Sequence, residues 1–339
     1  MTLIHEVRRL ARTTLAIGAA CSALTIGIDA KAQLLLNAQG IARGFTLSTF
    51  YTDPLASYGL LGAVSAGNGI AIGSGYARQE LYRFNDVDGQ SFGSALATVS
   101  AGGTPTGIAS VNGLVYVGLL GGGYYSVNTT TLARTLIALP NVSATYGLWG
   151  NQTNGHLLAG TNQGLIDINP ITSTFALIGS PGGNIDGVTV SPDGSIAYIE
   201  TNSSALFGYS LITPNPSVPV FARTGLAGGP DGTGVISGGL FNGDIIVNNN
   251  DGSVGLIDHL SGVETIIASF GARGDLVSPD TSNGTLLLTA SDRTYRLSCG
   301  PGCAIGSVSP VPEPETYALM IAGFAALGFV ARRRKQIKA

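Results

Sequence analysis

The chain has 339 residues, of which 50 are glycine and only 11% are charged, and its formal net charge is −3. Between Gln33 and Pro310 it contains no lysine, and eight arginines stand against 16 acidic residues, which gives −8 with histidine neutral. An acidic surface of this kind repels nucleic acid and anionic lipid, so neither is expected as a partner. Abundant Gly, Ser, Thr and Asn indicate tight turns between short strands.

The N-terminus has the order of parts found in a secretory signal. Arg8, Arg9 and Arg12 precede the apolar segment Thr13–Ile28, and Ala30-Lys31-Ala32 follows as a small-residue cleavage site. This pattern predicts a signal peptide over residues 1–32 and a mature chain that begins near Gln33. The general export machinery is therefore an expected partner.

An internal repeat organises the next 280 or so residues. A glycine followed by an apolar run recurs at intervals of 44, 42, 39, 49 and 41 residues. The six anchor glycines are Gly69, Gly113, Gly155, Gly194, Gly243 and Gly284. Each apolar run is followed by a short polar turn and a second strand-like run, which predicts one β-hairpin per repeat.

The stretch 187–222 indicates how a single repeat folds. Strands are expected over 187–190, 195–200 and 205–210, with Pro192-Asp193-Gly194 as a tight turn. A fourth strand is expected at 218–222, where Pro219 suits an outer, edge position. Four short strands in 40 to 45 residues are what one propeller blade requires.

The strand rhythm resembles the bacterial repeat propellers, including the quinoprotein-like, NHL-like and virginiamycin-lyase-like families. The resemblance implies an all-β fold, a β-propeller over residues 33–309. Six anchors predict six blades. Residues 33–66 supply either a seventh blade or a strand that closes the ring onto the last blade.

Metal-binding signals in the repeat region are weak. Asp86 and Asp88 lie in an Asn-Asp-rich stretch whose oxygens suit calcium, but the spacing departs from an EF-hand and the hairpin-turn interpretation is favoured. His156 and His259 each fall at or beside a predicted strand, where a structural role is the usual one. The sequence therefore predicts no cofactor, with calcium at Asp86 and Asp88 as the alternative.

Two aromatic residues are candidates for ligand binding. Trp149 and the nearby Tyr146 could stack on a sugar ring, although aromatic residues at this position of a blade more often fill the space between blades. Both interpretations stay open at this stage.

The cysteines indicate an oxidising compartment. Cys21 lies in the signal peptide, which leaves Cys299 and Cys303 around the turn Gly300-Pro301-Gly302. An even pair in an exported protein favours a local disulfide over a metal site, because no histidine lies nearby to complete zinc ligation.

The C-terminal segment 310–339 has three ordered parts. Pro312 and Pro314 keep its first part extended. The 16 uncharged residues of Thr316–Ala331 would span roughly 24 Å as a helix, somewhat less than the ~30 Å of a bilayer core. A basic stop follows, formed by Arg332, Arg333, Arg334 and Lys335. The pattern predicts one short transmembrane helix with a cytoplasmic end, and a buried globular helix is the alternative.

This segment resembles the PEP-CTERM sorting signal of Gram-negative bacteria. The residues that carry the resemblance are Val311, Pro312, Glu313, Pro314 and Thr316. It implies recognition and removal of the tail by exosortase, a membrane-embedded enzyme. The protein would be anchored transiently in the inner membrane and then reach the outer surface or the extracellular space.

Two functions are compatible with the sequence. The favoured one is a non-enzymatic, surface-sorted propeller that binds or scaffolds extracellular material such as exopolysaccharide or biofilm matrix, because no catalytic motif is recognisable. The alternative is a secreted lactonase or lyase acting on a carbohydrate or lactone, with Asp186, Glu200 and Asp244 as candidate carboxylates.

Overall fold

The computed structural model of the protein describes residues 33–53 and 59–300, whose regular secondary structure is almost entirely β-strand. The predicted signal peptide, the C-terminal segment 310–339 and Cys303 lie outside these residues. Within the two described ranges, no helix has the length and apolar character needed to cross a membrane.

Three small elements precede the first repeat. They are the strand β1 (Leu35–Leu36), the helix α1 (Ala38–Ala42) and the strand β2 (Thr46–Thr52). The Asn37 side chain caps α1 by accepting hydrogen bonds from the backbone amides of Gln39 and Gly40.

Each of the six repeats forms one sheet of mainly antiparallel strands, to which five repeats contribute four strands and the sixth repeat contributes three. The first repeat contains β3 (Leu60–Gly67), β4 (Ile70–Gly75), β5 (Glu80–Asn85), the short β6 (Gln90–Ser91), a 3-10 turn (Phe92–Ser94) and β7 (Ala97–Ser100). The second contains β8 (Pro105–Val111), β9 (Leu114–Leu119), β10 (Tyr124–Val127) and β11 (Arg134–Ile137). The third contains β12 (Ala144–Asn151), β13 (His156–Thr161), β14 (Gly164–Asn169) and β15 (Thr174–Gly179).

The second half of the ring repeats the same plan. The fourth repeat contains β16 (Ile185–Val190), β17 (Ile196–Thr201), β18 (Ala205–Ser210) and β19 (Phe221–Thr224). The fifth contains β20 (Pro230–Val235), a 3-10 turn (Gly239–Phe241), β21 (Ile245–Asn249), β22 (Val254–Ile257) and β23 (Glu264–Ser269). The sixth contains β24 (Gly274–Asp280), β25 (Thr285–Ala290) and β26 (Arg293–Ser298).

The first strands of the six sheets form a closed ring. β3 contacts β8, and the contacts continue through β12, β16, β20 and β24, which in turn contacts β3. In each sheet the following strands pair outward in chain order. This arrangement is a six-bladed β-propeller, which confirms the predicted all-β fold class and the predicted six blades.

The N-terminal strands close the ring. β2 pairs antiparallel with β26 as the fourth strand of the sixth blade, with Thr46 opposite Ser298. The short β6 of the first repeat pairs parallel with β2 at the outer edge of this sheet. β1 pairs with β23 at the outer edge of the fifth blade. Of the two interpretations of residues 33–66, the closing strand is therefore found, while β3 begins the first blade.

The core lies between neighbouring blades. Leu158, Ile199, Ile246 and Leu286 occupy the second strands of four successive blades and are fully buried in one cluster. These residues belong to the apolar runs that follow the anchor glycines. Since burying apolar surface is the main favourable contribution to folding, the repeated apolar run accounts for the stacking of the blades.

Candidate functional site

A polar cavity of about 340 Å³ opens on the propeller axis, at the end where the inner strands begin. Its size lies at the lower end of the range found for small-molecule sites. The side chains that give it its chemical character come from the first, third, fourth, fifth and sixth blades. They are Tyr76, Tyr146, Asp186, Asp231, Arg273 and Asp275.

Three of the carboxyl groups reach the axis through the same backbone device. In β16, Ile185 pairs with Thr201 and Gly187 with Glu200, so Asp186 is an extra, unpaired residue. The register shifts at Asp231 in β20 and around Asp275 in β24 in the same way. Such bulges re-aim a side chain, and here they direct successive carboxyls into the cavity.

Glycine beside a bulge allows the inner strands to approach closely. A Cβ atom on Gly232 would lie 2.3 Å from the carbonyl oxygen of Asp275 in the next blade. Real Cβ atoms do not reach such a distance, so the position requires glycine. This close packing holds Asp231 and Asp275 on neighbouring strands.

Tyrosine and asparagine side chains surround the carboxyls. Tyr76 and Tyr146 are half-buried and hydrogen-bonded to each other, and burial together with this bond raises the pKa of Tyr146 to about 12. Asn202 and Asn250 are exposed at the rim. Tyr146 thus stays protonated at neutral pH, and the two tyrosines offer flat rings and hydroxyl groups to a ligand.

Arg273 is the cation of the cavity lining. Its Nη2 donates to Asp231 Oδ2 at 2.5 Å, and its Nε donates to the Asn250 side-chain oxygen. The ion pair joins the fifth and sixth blades across the mouth of the cavity.

Burial shifts the titration of the carboxyls at the axis. Burial and then the charge of Asp231 raise the pKa of Asp186 to about 7, and the same two causes raise the pKa of Asp275 to about 8, while Arg273 opposes both. The pKa of Glu200, fully buried behind the cavity, is raised well above its usual range by burial and then by Asp186 and Asp231. Groups that titrate near pH 7 can exchange protons under physiological conditions.

The structure brings together two of the three carboxylates considered for catalysis. Asp186 and Glu200 lie in or behind the cavity, whereas Asp244 accepts a hydrogen bond at 2.8 Å from His259 elsewhere in the fifth blade. His156 is similarly paired with Asp167. Both histidines thus have carboxylate partners within their own blades.

Asp231 and Asp275 were not identified from the sequence, although a signal for them exists. Aspartate recurs at positions 186, 231 and 275, at intervals of 45 and 44 residues, each time as the second residue of an inner strand. These intervals match the length of the repeat, so the three aspartates occupy equivalent positions of successive blades. Equivalent positions near the start of the inner strands lie close to the axis of the ring.

Asp86 and Asp88, the calcium candidates, bind an arginine. Arg296 donates from Nη2 to Asp86 Oδ1 at 2.9 Å and from Nε to Asp88 Oδ1 at 2.8 Å. The guanidinium therefore takes the place that the sequence analysis gave to calcium. In the part of the chain that the structure describes, no group of three or more His, Cys, Asp or Glu residues is arranged to hold a metal ion.

Of the two aromatic candidates, only Tyr146 lines the cavity. Trp149 is 3% exposed and packs in the core cluster between blades, so its ring is not accessible to a ligand there. The packing alternative accounts for Trp149, because the inner strand turns this residue toward the neighbouring blade. Cys299 is disulfide-bonded, while its pairing with Cys303 stays a prediction.

Comparison with known families identifies the C-terminal segment. The family model described as the PEP-CTERM protein-sorting motif matches residues 310–335. The resemblance noted from the sequence is thereby confirmed, and it marks the chain as an exosortase substrate that is exported, processed at the membrane and delivered to the surface. A search of curated proteins found no match.

Solved structures similar to the chain support the fold. A gluconolactonase from Xanthomonas campestris is 12% identical, with a TM-score of 0.59 over 79% of this chain and 95% of that one. A streptogramin B lyase is 14% identical, with a TM-score of 0.50 over 75% and 97%. A Bacteroides thetaiotaomicron protein of unknown function is 12% identical, with a TM-score of 0.57 over 75% and 76%. At these identities the likeness concerns the propeller fold alone.

Proposed function

We propose that this protein is a surface-sorted propeller that binds a sugar residue of extracellular polysaccharide in its central cavity. The observation that carries the proposal is the convergence of Tyr76 and Tyr146 with three carboxyls and a guanidinium in one open, polar cavity. Flat aromatic rings beside many hydrogen-bonding groups are what a polyhydroxylated ring requires. Residues 1–32 as signal peptide, 33–309 as binding domain and 310–339 as sorting segment complete the proposal.

The topology gives this function a suitable geometry. The cavity lies where β24 begins, and the antiparallel succession of β24, β25 and β26 brings Ser298 to the opposite end of the blade. The described part of the chain thus ends, at Gly300, on the side that does not carry the cavity. We propose that the binding face is turned away from the membrane during processing.

Replacing one cavity tyrosine tests the proposal. We expect Tyr146→Ala to weaken the binding of short oligosaccharides by about tenfold or more, since it removes a ring that would stack on the sugar. Isothermal titration calorimetry on the full-length protein measures the effect. Tyr125→Ala is the matched control, because Tyr125 is a half-buried tyrosine in the second blade and does not line the cavity. Equal affinities for Tyr146→Ala and Tyr125→Ala would contradict the proposal.

A second function is favoured by one observation, the pKa values of about 7 for Asp186 and about 8 for Asp275. Carboxyls that titrate near the working pH can act as general acids or bases in opening a lactone or cleaving a glycan. If the protein turns over a lactone panel and Asp275→Asn abolishes that turnover, the enzymatic function replaces the binding function.

The sorting segment makes a separate prediction. In a host with exosortase, we expect mass spectrometry of the surface protein to show loss of the residues beyond about Glu315. Replacing Pro312, Glu313 and Pro314 by alanine removes the recognition element and should leave the tail uncut. An intact Ala339 on the exported natural protein would refute removal of the tail.

A further inference from the structure

The central cavity has more carboxyl groups than cationic groups. Asp186, Asp231 and Asp275 line it, against the guanidinium of Arg273. That guanidinium forms its ion pair with Asp231. Within residues 33–53 and 59–300 no salt bridge joins Asp186 or Asp275 to a cationic side chain. Two carboxyl groups therefore face the cavity without forming an ion pair.

A fourth carboxyl behind the cavity points independently to a missing cation. Glu200 is fully buried, and in the described part of the chain neither of its oxygens has a hydrogen-bond partner. It lies opposite Gly187 in the sheet, next to Asp186, and it interacts electrostatically with Asp186 and Asp231. A buried carboxyl without a partner costs free energy. Glu200 does not line the cavity, so a ligand would not contact it, but positive charge placed beside Asp186 would lower that cost through electrostatic attraction.

The tyrosines beside the carboxyls suit a cationic ring. A cation within about 6 Å of an aromatic face is attracted by its electron-rich surface, and the hydroxyls of Tyr76 and Tyr146 can bond to sugar hydroxyls. Asn202 and Asn250 add amide donors and acceptors at the rim. The lining therefore combines groups for one positive charge with groups for several hydroxyls.

We infer that the ligand of this cavity is a sugar residue with a protonated amine, as in a de-N-acetylated amino sugar of a polysaccharide. This inference rests on the proposed function, because it names the class of sugar that the same cavity selects. The ammonium group would lie between Asp186 and Asp275, and its hydrogen-bond donors would satisfy carboxyl oxygens. Neutral and acidic sugars would leave these carboxyls unpaired.

An amine fits the observed arrangement better than a metal ion. Calcium requires six to eight oxygen ligands at 2.3–2.6 Å. The described residues contain no cluster of three or more acidic, His or Cys side chains arranged in that way. An ammonium group needs only one to three hydrogen bonds, which two separated carboxyls provide. Burial and the charge of Asp231 raise the pKa of Asp275 to about 8, and a bound ammonium would reverse that shift.

The test compares three sugars that differ in one substituent. Isothermal titration calorimetry with the full-length protein at pH 6.5 would use trimers of glucosamine, N-acetylglucosamine and glucose. We expect the glucosamine trimer to bind at least about tenfold more tightly than the other two. Asp186→Asn and Asp275→Asn should each remove most of that preference. Asp258→Asn, which changes an exposed turn aspartate between β22 and β23, is the matched control and should keep it.

The outcomes separate this inference from the proposed function. Equal binding of all three trimers would overturn the amine inference and leave sugar binding intact. Absence of binding by every sugar, with a folded protein, would overturn both. Tight binding of calcium that the glucosamine trimer does not displace would overturn the amine inference in favour of a metal site.

Discussion

Arg296→Ala is expected to lower the free energy of unfolding by about 3–5 kcal/mol, because it leaves buried carboxylates without their cation. The Arg296 guanidinium binds Asp86 and Asp280, whose side chains are 0% exposed, together with the partly exposed Asp88. Its Cζ also lies 5.2 Å from the centre of the Phe50 ring. These contacts join the sixth blade to the loop after β5 of the first blade, at the seam where the ring closes.

Urea denaturation followed by circular dichroism measures this loss. Arg43→Ala is the control, because Arg43 is a surface arginine at the end of α1 that bonds to Gln39, and its removal should change stability by no more than about 0.5 kcal/mol. Arg296→Lys should recover only part of the loss, since an ammonium cannot reproduce the planar fork that serves three carboxylates. A loss below about 1 kcal/mol for Arg296→Ala would show that the seam does not depend on this residue.

The anchor glycines were a reliable guide to the fold because each has a conformational task. Gly113 and Gly155 have φ values of +74° and +76°, a region that other residues rarely adopt, and each ends the turn between the first and second strands of its blade. The second strands begin one or two residues after each anchor, at Ile70, Leu114, His156, Ile196, Ile245 and Thr285. A positive φ favours glycine, and a buried strand favours a run of apolar residues, so both features can be recognised in the sequence.

The outer strands were harder to locate. The fourth strand of the fourth blade was expected at 218–222 but occupies Phe221–Thr224. Its residues are mostly exposed, so few of them carry the apolar signal that marks a buried strand. The sequence left two alternatives for residues 33–66, a seventh blade or a strand that closes the ring. The observed pairing of Thr46 with Ser298 joins residues more than 250 positions apart. Local patterns do not specify such long-range pairing.

The candidate site was only partly visible for the same reason. Tyr146 and Asp186 were singled out one at a time, whereas the relation among Asp186, Asp231 and Asp275 depends on a bulge at one position of three inner strands. In a strand without the bulge, the alternation of side chains would change the face of the sheet on which each aspartate lies. Hydrophobic periodicity predicts the strands. The repeat interval indicates that the three aspartates meet at the axis only when the bulges are also known.

We expect the protein to become less stable as the pH rises from 5 to 9. In an unfolded chain aspartate titrates near pH 4, whereas burial raises the pKa of Asp186 to about 7 and that of Asp275 to about 8. The folded state thus keeps protons that the unfolded state has lost. The stabilisation is complete below about pH 4 and is lost as the pH rises through 7 and 8. After discounting for the partial exposure of Asp186, we expect a loss of about 2–4 kcal/mol.

Urea denaturation at pH 5, 7 and 9 tests this slope, with Asp275→Asn as the decisive variant. An amide is neutral at every pH, so this variant should match the natural protein at pH 5 and exceed its stability by about 1–3 kcal/mol at pH 9. Asp258→Asn should leave the slope unchanged, because hydrogen bonds to Ser261 lower the pKa of the exposed Asp258 and confine its contribution to acid pH. Identical slopes for Asp275→Asn and the natural protein would show that Asp275 is ionised in the folded state throughout this range. The amine inference adds one expectation, since a bound ammonium stabilises the ionised carboxyls. The glucosamine trimer should therefore flatten the slope between pH 5 and 7, where its amines are protonated.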